Sequence, residues 1–190
     1  EEALAQALEE ARRFDLPVLA RGGGSSLAGQ TTCAGLVIDF TKHLDRLLEI
    51  DREAGTVRVE SGMIFDQLNS ALAPYGLMIG PDPASGNRAT IGGIVGNNAT
   101  GTHSILYGSI VDHIVSAEGY LPDGTAASFG MLGENAWRSR SDRSGAEGEL
   151  FRRLGSVLEN GRETILRDTP KHWRRSGGYR DAVDDRGHPG

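Results

Sequence analysis

Apolar residues recur at helical spacing, with polar residues opposite them, in three stretches of the chain. This pattern is typical of amphipathic helices. It predicts helices over residues 2–14, 64–74 and 150–166. We expect the third helix to be weakened by Gly155 and Gly161, because glycine is a poor helix former.

Shorter apolar runs and alternating stretches predict strands. The runs Val18–Ala20 and Leu36–Asp39 are short and apolar, which indicates two buried strands. Residues 47–60 predict one β-hairpin, and residues 110–129 predict a second, whose first strand covers Ile110–Tyr120. Short strands mixed with helices, without regular alternation of the two, predict an α+β fold.

Composition narrows the possible partners and ligands. At 190 residues the chain can build one core, and its 27 glycines are about twice the usual share. A net charge of -6 argues against a nucleic-acid partner or an anionic membrane surface. The single cysteine, Cys33, excludes an internal disulfide and a cysteine-ligated metal cluster, and we predict no metal site in this chain. Residues 131–147 are polar and weakly patterned, so no element is predicted there.

The segment Arg21–Gly29 reads RGGGSSLAG and lies between two predicted strands. Its glycines leave backbone amides unobstructed and its serines add hydroxyl donors, which suits a pyrophosphate. We expect Leu27 to pack beneath the loop. Because a strand follows, where a Rossmann fingerprint or a P-loop has a helix, neither of those nucleotide motifs fits. The alternative interpretation is a tight connection between two strands.

A second glycine-rich segment covers residues 80–103. Pro81-Asp82-Pro83 predicts extended backbone, and Thr90 is expected to cap a short helix whose Gly92 and Gly93 permit close approach. A helix N-terminus beside glycines favours an anion or a polar ring edge. The side-chain donors that follow are Asn97, Asn98 and Thr100. The alternative is a glycine-rich helix packed against a strand.

In this order, the sequences RGGGSSL, GPDP and TIGGIVGNN resemble the FAD domain of the vanillyl-alcohol-oxidase or PCMH-type flavoproteins. Within that group the resemblance is to FAD-linked dehydrogenases of D-lactate, glycolate and D-2-hydroxyglutarate. It runs from about Pro17 to Gly124, and residues 176–179 are similar to a later family motif. It implies an incomplete PCMH-type FAD-binding domain with subdomains at about 1–60 and 61–167, followed by a polar tail at 168–190.

The resemblance also implies a set of cofactor-binding residues. The first glycine-rich loop would enclose the pyrophosphate of FAD, and the second segment would lie along the ribityl chain and flavin. The implied residues are Gly22, Gly23, Gly24, Ser25, Ser26, Leu27, Pro81, Asp82, Thr90, Gly92, Gly93, Asn97, Asn98, Thr100, Gly101 and His103. Backbone from Ile110 to Gly119 would lie near the adenine. Because no histidine occurs in residues 24–26, we expect FAD to be bound non-covalently.

The implied activity is that of an FAD-dependent oxidoreductase that oxidises a D-2-hydroxy acid by hydride transfer to FAD. We expect the chain alone to be inactive, because the later FAD-contacting segment, the cap and the metal-binding and catalytic motifs of the family are not found before Gly190. One alternative is an FAD module without turnover of its own. Others are an enolpyruvyl-sugar reductase, a molybdenum-hydroxylase flavin subunit, and an interaction domain without flavin.

The catalytic residues stay open, with His103, Arg175 and Tyr179 as candidates. An imidazole suits a flavin or a carboxylate, and an arginine suits the carboxylate of a hydroxy acid. The alternatives are a structural histidine and a solvated basic tail. The expected partner is a small-molecule substrate, not a nucleic acid, and the electron acceptor is left open. Some relatives carry an iron–sulfur cluster in a C-terminal region, so the resemblance leaves an iron–sulfur or peripheral membrane partner open there. The expected location is the cytoplasm.

Overall fold

The computed structural model describes residues 2–169, which form two compact units. The glycine-loop unit is Leu16–His113, and the terminal unit consists of residues 2–15 and 114–169. Neither boundary lies near residue 60, where the sequence predicts a division between subdomains. That division stays a prediction about the complete domain.

The glycine-loop unit begins with two pairs of strands. Strands β1 (Val18–Arg21) and β2 (Leu36–Asp39) are parallel, with Val18 opposite Leu36. Strands β3 (Leu47–Asp51) and β4 (Thr56–Val59) form an antiparallel hairpin. The predicted positions of all four strands are therefore confirmed, and a loop without a helix joins β1 to β2.

The prediction that β1 and β2 are buried is wrong. Val18 and Val37 are 40% and 38% exposed, and no residue of either strand is buried. Within residues 2–169 these strands form a two-stranded sheet of their own, to which no third strand is hydrogen-bonded. A short apolar run predicts an extended segment, but it does not say what covers that segment.

Helices provide most of the core of this unit. Helix α2 (Phe65–Leu72) buries its apolar face and continues into a 3₁₀ turn at Ala73–Tyr75, so the predicted helix is confirmed with its last turn tightened. Short helices follow as α3 (Ile91–Gly96) and α4 (Ser104–Tyr107). The buried apolar residues of the unit are Met63, Phe65, Leu68, Leu72, Ala89, Ile91, Ile94 and Ile110.

The strand predicted over Ile110–Tyr120 is partly wrong, since Ile110–His113 forms a 3₁₀ turn. The turn is held by bonds that a strand could not make. The Ile110 N–H donates to the carbonyl of Ala99, and the Asp112 carboxylate accepts from the backbone and hydroxyl of Ser109. The alternation of apolar residues in this stretch did not reveal these contacts.

The terminal unit contains the remaining elements. They are α1 (Glu2–Arg13), the antiparallel strands β5 (Ser116–Tyr120) and β6 (Ala126–Gly130), α5 (Glu134–Ser141) and α6 (Ala146–Asp168). Helix α5 was not predicted, because its sequence is polar. It is anchored by Trp137, whose ring meets the buried Phe151 of α6 edge-on at 5.1 Å between ring centroids.

The mixture of helices with short antiparallel and parallel strands confirms the α+β expectation. None of the helices within residues 2–169 is both long and apolar enough to cross a bilayer. The same residues contain no group of three histidine, cysteine or acidic side chains placed to hold a metal ion.

Candidate functional site

The two glycine-rich segments meet inside the glycine-loop unit. The first segment, residues 22–28, is named here the glycine loop. A Cβ added at Gly22 would overlap the Thr90 hydroxyl, and one added at Gly23 would overlap the carbonyl oxygen of Arg88. The loop therefore lies directly against residues 88–90, and glycine at positions 22 and 23 is required by this close backbone approach.

Gly24 and Arg21 shape the exposed side of the glycine loop. Gly24 has a φ of 64°, in the left-handed region that other residues rarely adopt. A Cβ at this position would lie 2.9 Å from Nη2 of Arg21, so the guanidinium folds back over the loop. Arg21 is not among the functional residues predicted from the sequence, although its place directly before three glycines was a signal.

Backbone donors of the glycine loop remain available to a ligand. The N–H groups of Gly23, Gly24, Ser25 and Ser26 find no acceptor among residues 2–169. The Ser26 hydroxyl donates to the side-chain oxygen of Gln30, so of the two serines in the loop Ser25 alone has a hydroxyl without a partner among residues 2–169. Consecutive amides without a protein acceptor, beside a left-handed glycine and a guanidinium, supply the kind of donors and the charge that a diphosphate would need.

Leu27 does not pack beneath the glycine loop, as we had expected it to do. Its side chain is 103% exposed, and the loop packs instead against the backbone of Arg88 and Ala89 and the side chain of Thr90, named here its seat. The expectation failed because the loop contacts its seat through Gly22 and Gly23, and Leu27 lies outside that contact. Whether Leu27 contacts a cofactor stays a prediction.

Thr90 caps helix α3 as predicted. Its side chain is buried, with 1% exposure, and its hydroxyl oxygen accepts from the N–H of Gly93 at 3.2 Å. The N–H groups of Ile91 and Gly92 donate to the carbonyls of Met63 and Ser61, at 2.8 and 2.7 Å. All three first-turn amides of α3 are therefore committed to protein acceptors, and they are not donors to an anion.

This result changes the expected role of the second segment. A Cβ at Gly92 would lie 2.8 Å from Cβ of Ser61, so this glycine allows the helix to contact the segment before α2. Amide donors without a protein acceptor among residues 2–169 lie in the glycine loop, and the capped start of α3 supports that loop. Contacts of Thr90, Gly92 or Gly93 with a cofactor stay a prediction, and they would have to use other atoms than these amides.

The Thr90 cap makes a measurable contribution to stability. Replacing Thr90 with Val keeps the shape of the side chain but leaves the Gly93 N–H without its acceptor. We expect the free energy of unfolding to fall by about 1 kcal/mol, measured by urea denaturation. Thr164→Val on the exposed face of α6 is the matched control and should change stability by less than about 0.5 kcal/mol. Equal stability of the two variants would contradict the capping role.

The Asp82 side chain contacts two other residues of the second glycine-rich segment. Its carboxylate accepts from the Thr102 hydroxyl at 2.8 Å and from the His103 backbone N–H at 2.7 Å. The His103 ring nitrogen Nδ1 lies 2.8 Å from the same carboxylate. Partial burial opposes ionisation, but these hydrogen bonds outweigh it and hold the pKa of Asp82 below its ordinary value of 3.8. Asp82 therefore acts through its side chain, and not only through the extended backbone that the sequence predicted.

Gly101 permits this arrangement. A Cβ at Gly101 would overlap the carbonyl oxygen of Asp82, and the Gly101 N–H donates to the buried hydroxyl of Ser104 at 2.9 Å. The backbone of Gly101 is thus enclosed between the Asp82 segment and the start of α4. Pro81, also a predicted site residue, is fully buried beside Asp82.

The remaining predicted residues have different surroundings. Asn98 adopts a φ of 44° and its side-chain oxygen accepts from the N–H of Val111 at 3.2 Å, so this amide supports the 3₁₀ turn. Asn97 is exposed and Thr100 is half-buried. The structure brings the glycine loop to Thr90 and brings Asp82, Gly101 and His103 together. Arg175 and Tyr179 lie outside the described residues.

Comparison with known proteins finds a matching family and several similar proteins. A model of the family described as "FAD binding domain" matches residues 1–130. The D-2-hydroxyglutarate dehydrogenase of Pseudomonas putida is 34% identical over 176 residues, covering 93% of this chain and 18% of that protein. Glycolate oxidase subunit GlcD of Bacillus subtilis is 38% identical over 111 residues, covering 57% of this chain and 23% of that protein.

A solved structure shows a similar fold. Alkyldihydroxyacetonephosphate synthase matches with a TM-score of 0.62 and 23% identity, covering 73% of this chain and 28% of that chain. At this identity the likeness concerns the fold alone. The chain spans less than a third of the length of each of these relatives.

Proposed function

This chain belongs to the family of FAD binding domains, and we propose that its glycine loop holds the diphosphate of FAD in a protein that oxidises a D-2-hydroxy acid. The recognised family and the PCMH-type α+β fold agree with those expected from the sequence. FAD is the cofactor that this family binds. The position of the diphosphate, the non-covalent attachment and the activity of the whole protein are our proposals.

The proposed position of the diphosphate rests on the backbone N–H groups of the glycine loop that have no protein acceptor among residues 2–169. Four consecutive amides, from Gly23 to Ser26, have no acceptor within the described residues, whereas the amides at the start of α3 are all engaged. A diphosphate needs several converging donors and positive charge. The guanidinium of Arg21 beside Gly24 supplies that charge in a chain that is acidic overall.

The residues around the loop have separate tasks in this proposal. Gly22 and Gly23 allow the loop to rest on its seat, and Gly24 turns it. Arg21 opposes the negative charge of the ligand. When bound, FAD supplies the two-electron acceptor for oxidation of an alcohol. Without a histidine at positions 24–26, the loop has no imidazole to form a covalent flavin bond.

The substrate class rests on the relatives. The P. putida and B. subtilis proteins are named for D-2-hydroxyglutarate and glycolate, two 2-hydroxy acids. We therefore propose a D-2-hydroxy acid as the small-molecule substrate of the whole protein. The match covers only 18% of the P. putida enzyme. This small share favours a second candidate function, an FAD-binding module that catalyses substrate turnover only together with other regions.

Titration with FAD and FMN tests the proposed cofactor and its diphosphate. We expect saturable binding of FAD by the full-length protein, followed by flavin absorbance and fluorescence, with at least about tenfold weaker binding of FMN, which lacks the diphosphate linkage. The 190-residue chain is titrated in parallel. Full-length protein that binds neither flavin would overturn the proposal, whereas binding only by the full-length protein would show that other regions are needed.

A second assay separates the proposed activities. Anaerobic mixing of FAD-loaded full-length protein with D-2-hydroxyglutarate, D-lactate or glycolate should bleach the flavin absorbance. The same assay with the 190-residue chain should show no bleaching if that chain is a module without turnover. Full-length protein that is not bleached by any 2-hydroxy acid would contradict the proposed substrate class while leaving FAD binding intact.

A further inference from the structure

The Asp82 carboxylate makes three contacts with two consecutive residues, Thr102 and His103. Its Oδ1 accepts from the backbone N–H of His103 at 2.7 Å. Its Oδ2 accepts from the Thr102 hydroxyl at 2.8 Å and lies 2.8 Å from Nδ1 of the His103 ring. Both oxygens are therefore used, and an ionised carboxylate has no hydrogen to donate.

This contact determines which ring nitrogen of His103 carries the proton. Because the carboxylate can only accept, Nδ1 must be the donor of the 2.8 Å contact. In an uncharged imidazole the other nitrogen, Nε2, is then an acceptor. The side chain of His103 is 65% exposed, so Nε2, on the ring edge away from Asp82, is accessible.

The backbone of His103 is fixed as well as its ring. Its N–H donates to Asp82, and its carbonyl accepts from the N–H groups of Leu106 and Tyr107 at 2.9 and 3.0 Å. The Asp82 segment is itself held, since Pro81 is fully buried and Gly101 lies against the Asp82 backbone. A histidine restrained at its backbone and at one ring nitrogen presents the other nitrogen in one place.

We infer that Asp82 is a positioning residue for His103, whose Nδ1–H tautomer it fixes so that Nε2 accepts a hydrogen bond from a bound ligand. The ligand donor is a hydroxyl or an N–H group, and FAD and a 2-hydroxy acid both carry one. The inference rests on the proposed function for the identity of the ligand. The tautomer itself depends on the protein alone.

Nitrogen NMR of protein labelled with ¹⁵N-histidine reads this tautomer directly, at a pH where the ring is uncharged. The wild type should show His103 with its proton on Nδ1, assigned by loss of its signals in His103→Gln. Asp82→Asn should invert the tautomer. The asparagine oxygen can still accept from the His103 backbone, but its NH₂ group then faces Nδ1 and must donate, which moves the ring proton to Nε2. The Thr102 hydroxyl does not oppose this exchange, because it can accept as well as donate.

Ligand binding then identifies the donor. If the donor belongs to FAD, Asp82→Asn in the full-length protein should weaken FAD binding about tenfold. If it belongs to the hydroxy acid, FAD binding should stay within about twofold while KM for the acid rises about tenfold and more than kcat falls. The control is Asp123→Asn, in which a carboxylate that accepts from the Thr125 N–H in the terminal unit is replaced. It should change neither property.

Several results would overturn the inference. One is a wild-type His103 with its proton on Nε2, which needs no variant and so holds even if Asp82→Asn fails to fold. Another is an unchanged tautomer in folded Asp82→Asn. An inverted tautomer with unchanged affinities for FAD and hydroxy acid would reject the ligand role. Wild-type protein that binds no FAD would instead reject the proposed function, and the NMR result distinguishes the two failures.

Discussion

Gly23→Ala is expected to lower the affinity of the full-length protein for FAD by about two orders of magnitude. The added Cβ would overlap the carbonyl oxygen of Arg88 and lie 2.8 Å from its carbonyl carbon. These are backbone atoms next to the capped start of α3, so they cannot move aside as a flexible side chain could. The glycine loop must therefore move away from residues 88–90, and its amides are displaced from the proposed position of the diphosphate.

The measurement is a titration of FAD into the variant and the wild type. Gly96→Ala is the matched control, because a Cβ at the end of α3 would meet no atom within 4 Å and alanine favours a helix. That control should bind FAD as the wild type does. Circular dichroism checks that Gly23→Ala is folded. A folded variant with unchanged FAD affinity would show that the loop seat is not needed for binding.

Gly101→Ala is expected to reduce the free energy of unfolding by about 3 kcal/mol. Its Cβ would overlap the Asp82 carbonyl oxygen and lie 2.5 Å from Oδ1 of the same residue, which already accepts the His103 N–H. The two segments would have to separate, which also breaks the hydrogen bonds from the Thr102 hydroxyl and the His103 N–H to the Asp82 carboxylate. The loss therefore combines overpacking with two disrupted hydrogen bonds.

Thermal unfolding followed by circular dichroism measures this loss. For a chain of this size we expect the Tm to fall by about 6–12 °C. Gly119→Ala in β5 serves as the control, since its Cβ would have no neighbour within 4 Å and its φ is not in the left-handed region. A Tm within about 1 °C of the wild type for Gly101→Ala would contradict the close approach of the two segments.

The sequence was most informative where one element determines its own conformation. The periodicity of Phe65, Leu68 and Leu72 predicted α2, and a threonine before Ile91 predicted the capped start of α3. These features depend on neighbours along the chain. Helix α5 was missed because its single apolar anchor, Trp137, is informative only with its partner Phe151 in view.

The candidate site was predicted in its residues but less well in their roles. From the sequence, the glycines were interpreted mainly as positions that leave room for a ligand. In the structure, Gly22, Gly23 and Gly92 are required by close contacts within the protein, with Thr90, Arg88 and Ser61 respectively. These contacts join segments more than 30 residues apart, so a local sequence pattern does not predict them. The carboxylate role of Asp82 was missed for the same reason, since its partners lie about 20 residues further along.

The engaged first turn of α3 has a consequence for how a cofactor would be taken up. Because Ile91, Gly92 and Gly93 donate to Met63, Ser61 and Thr90, the seat of the glycine loop is complete in the protein alone. We therefore expect ligand binding to restrict the glycine loop and to leave the start of α3 unchanged. Such pre-organisation confines the entropic cost of association to a few residues. Apoprotein and holoprotein should accordingly share the same protected amides in α3, and differ in hydrogen exchange within the glycine loop.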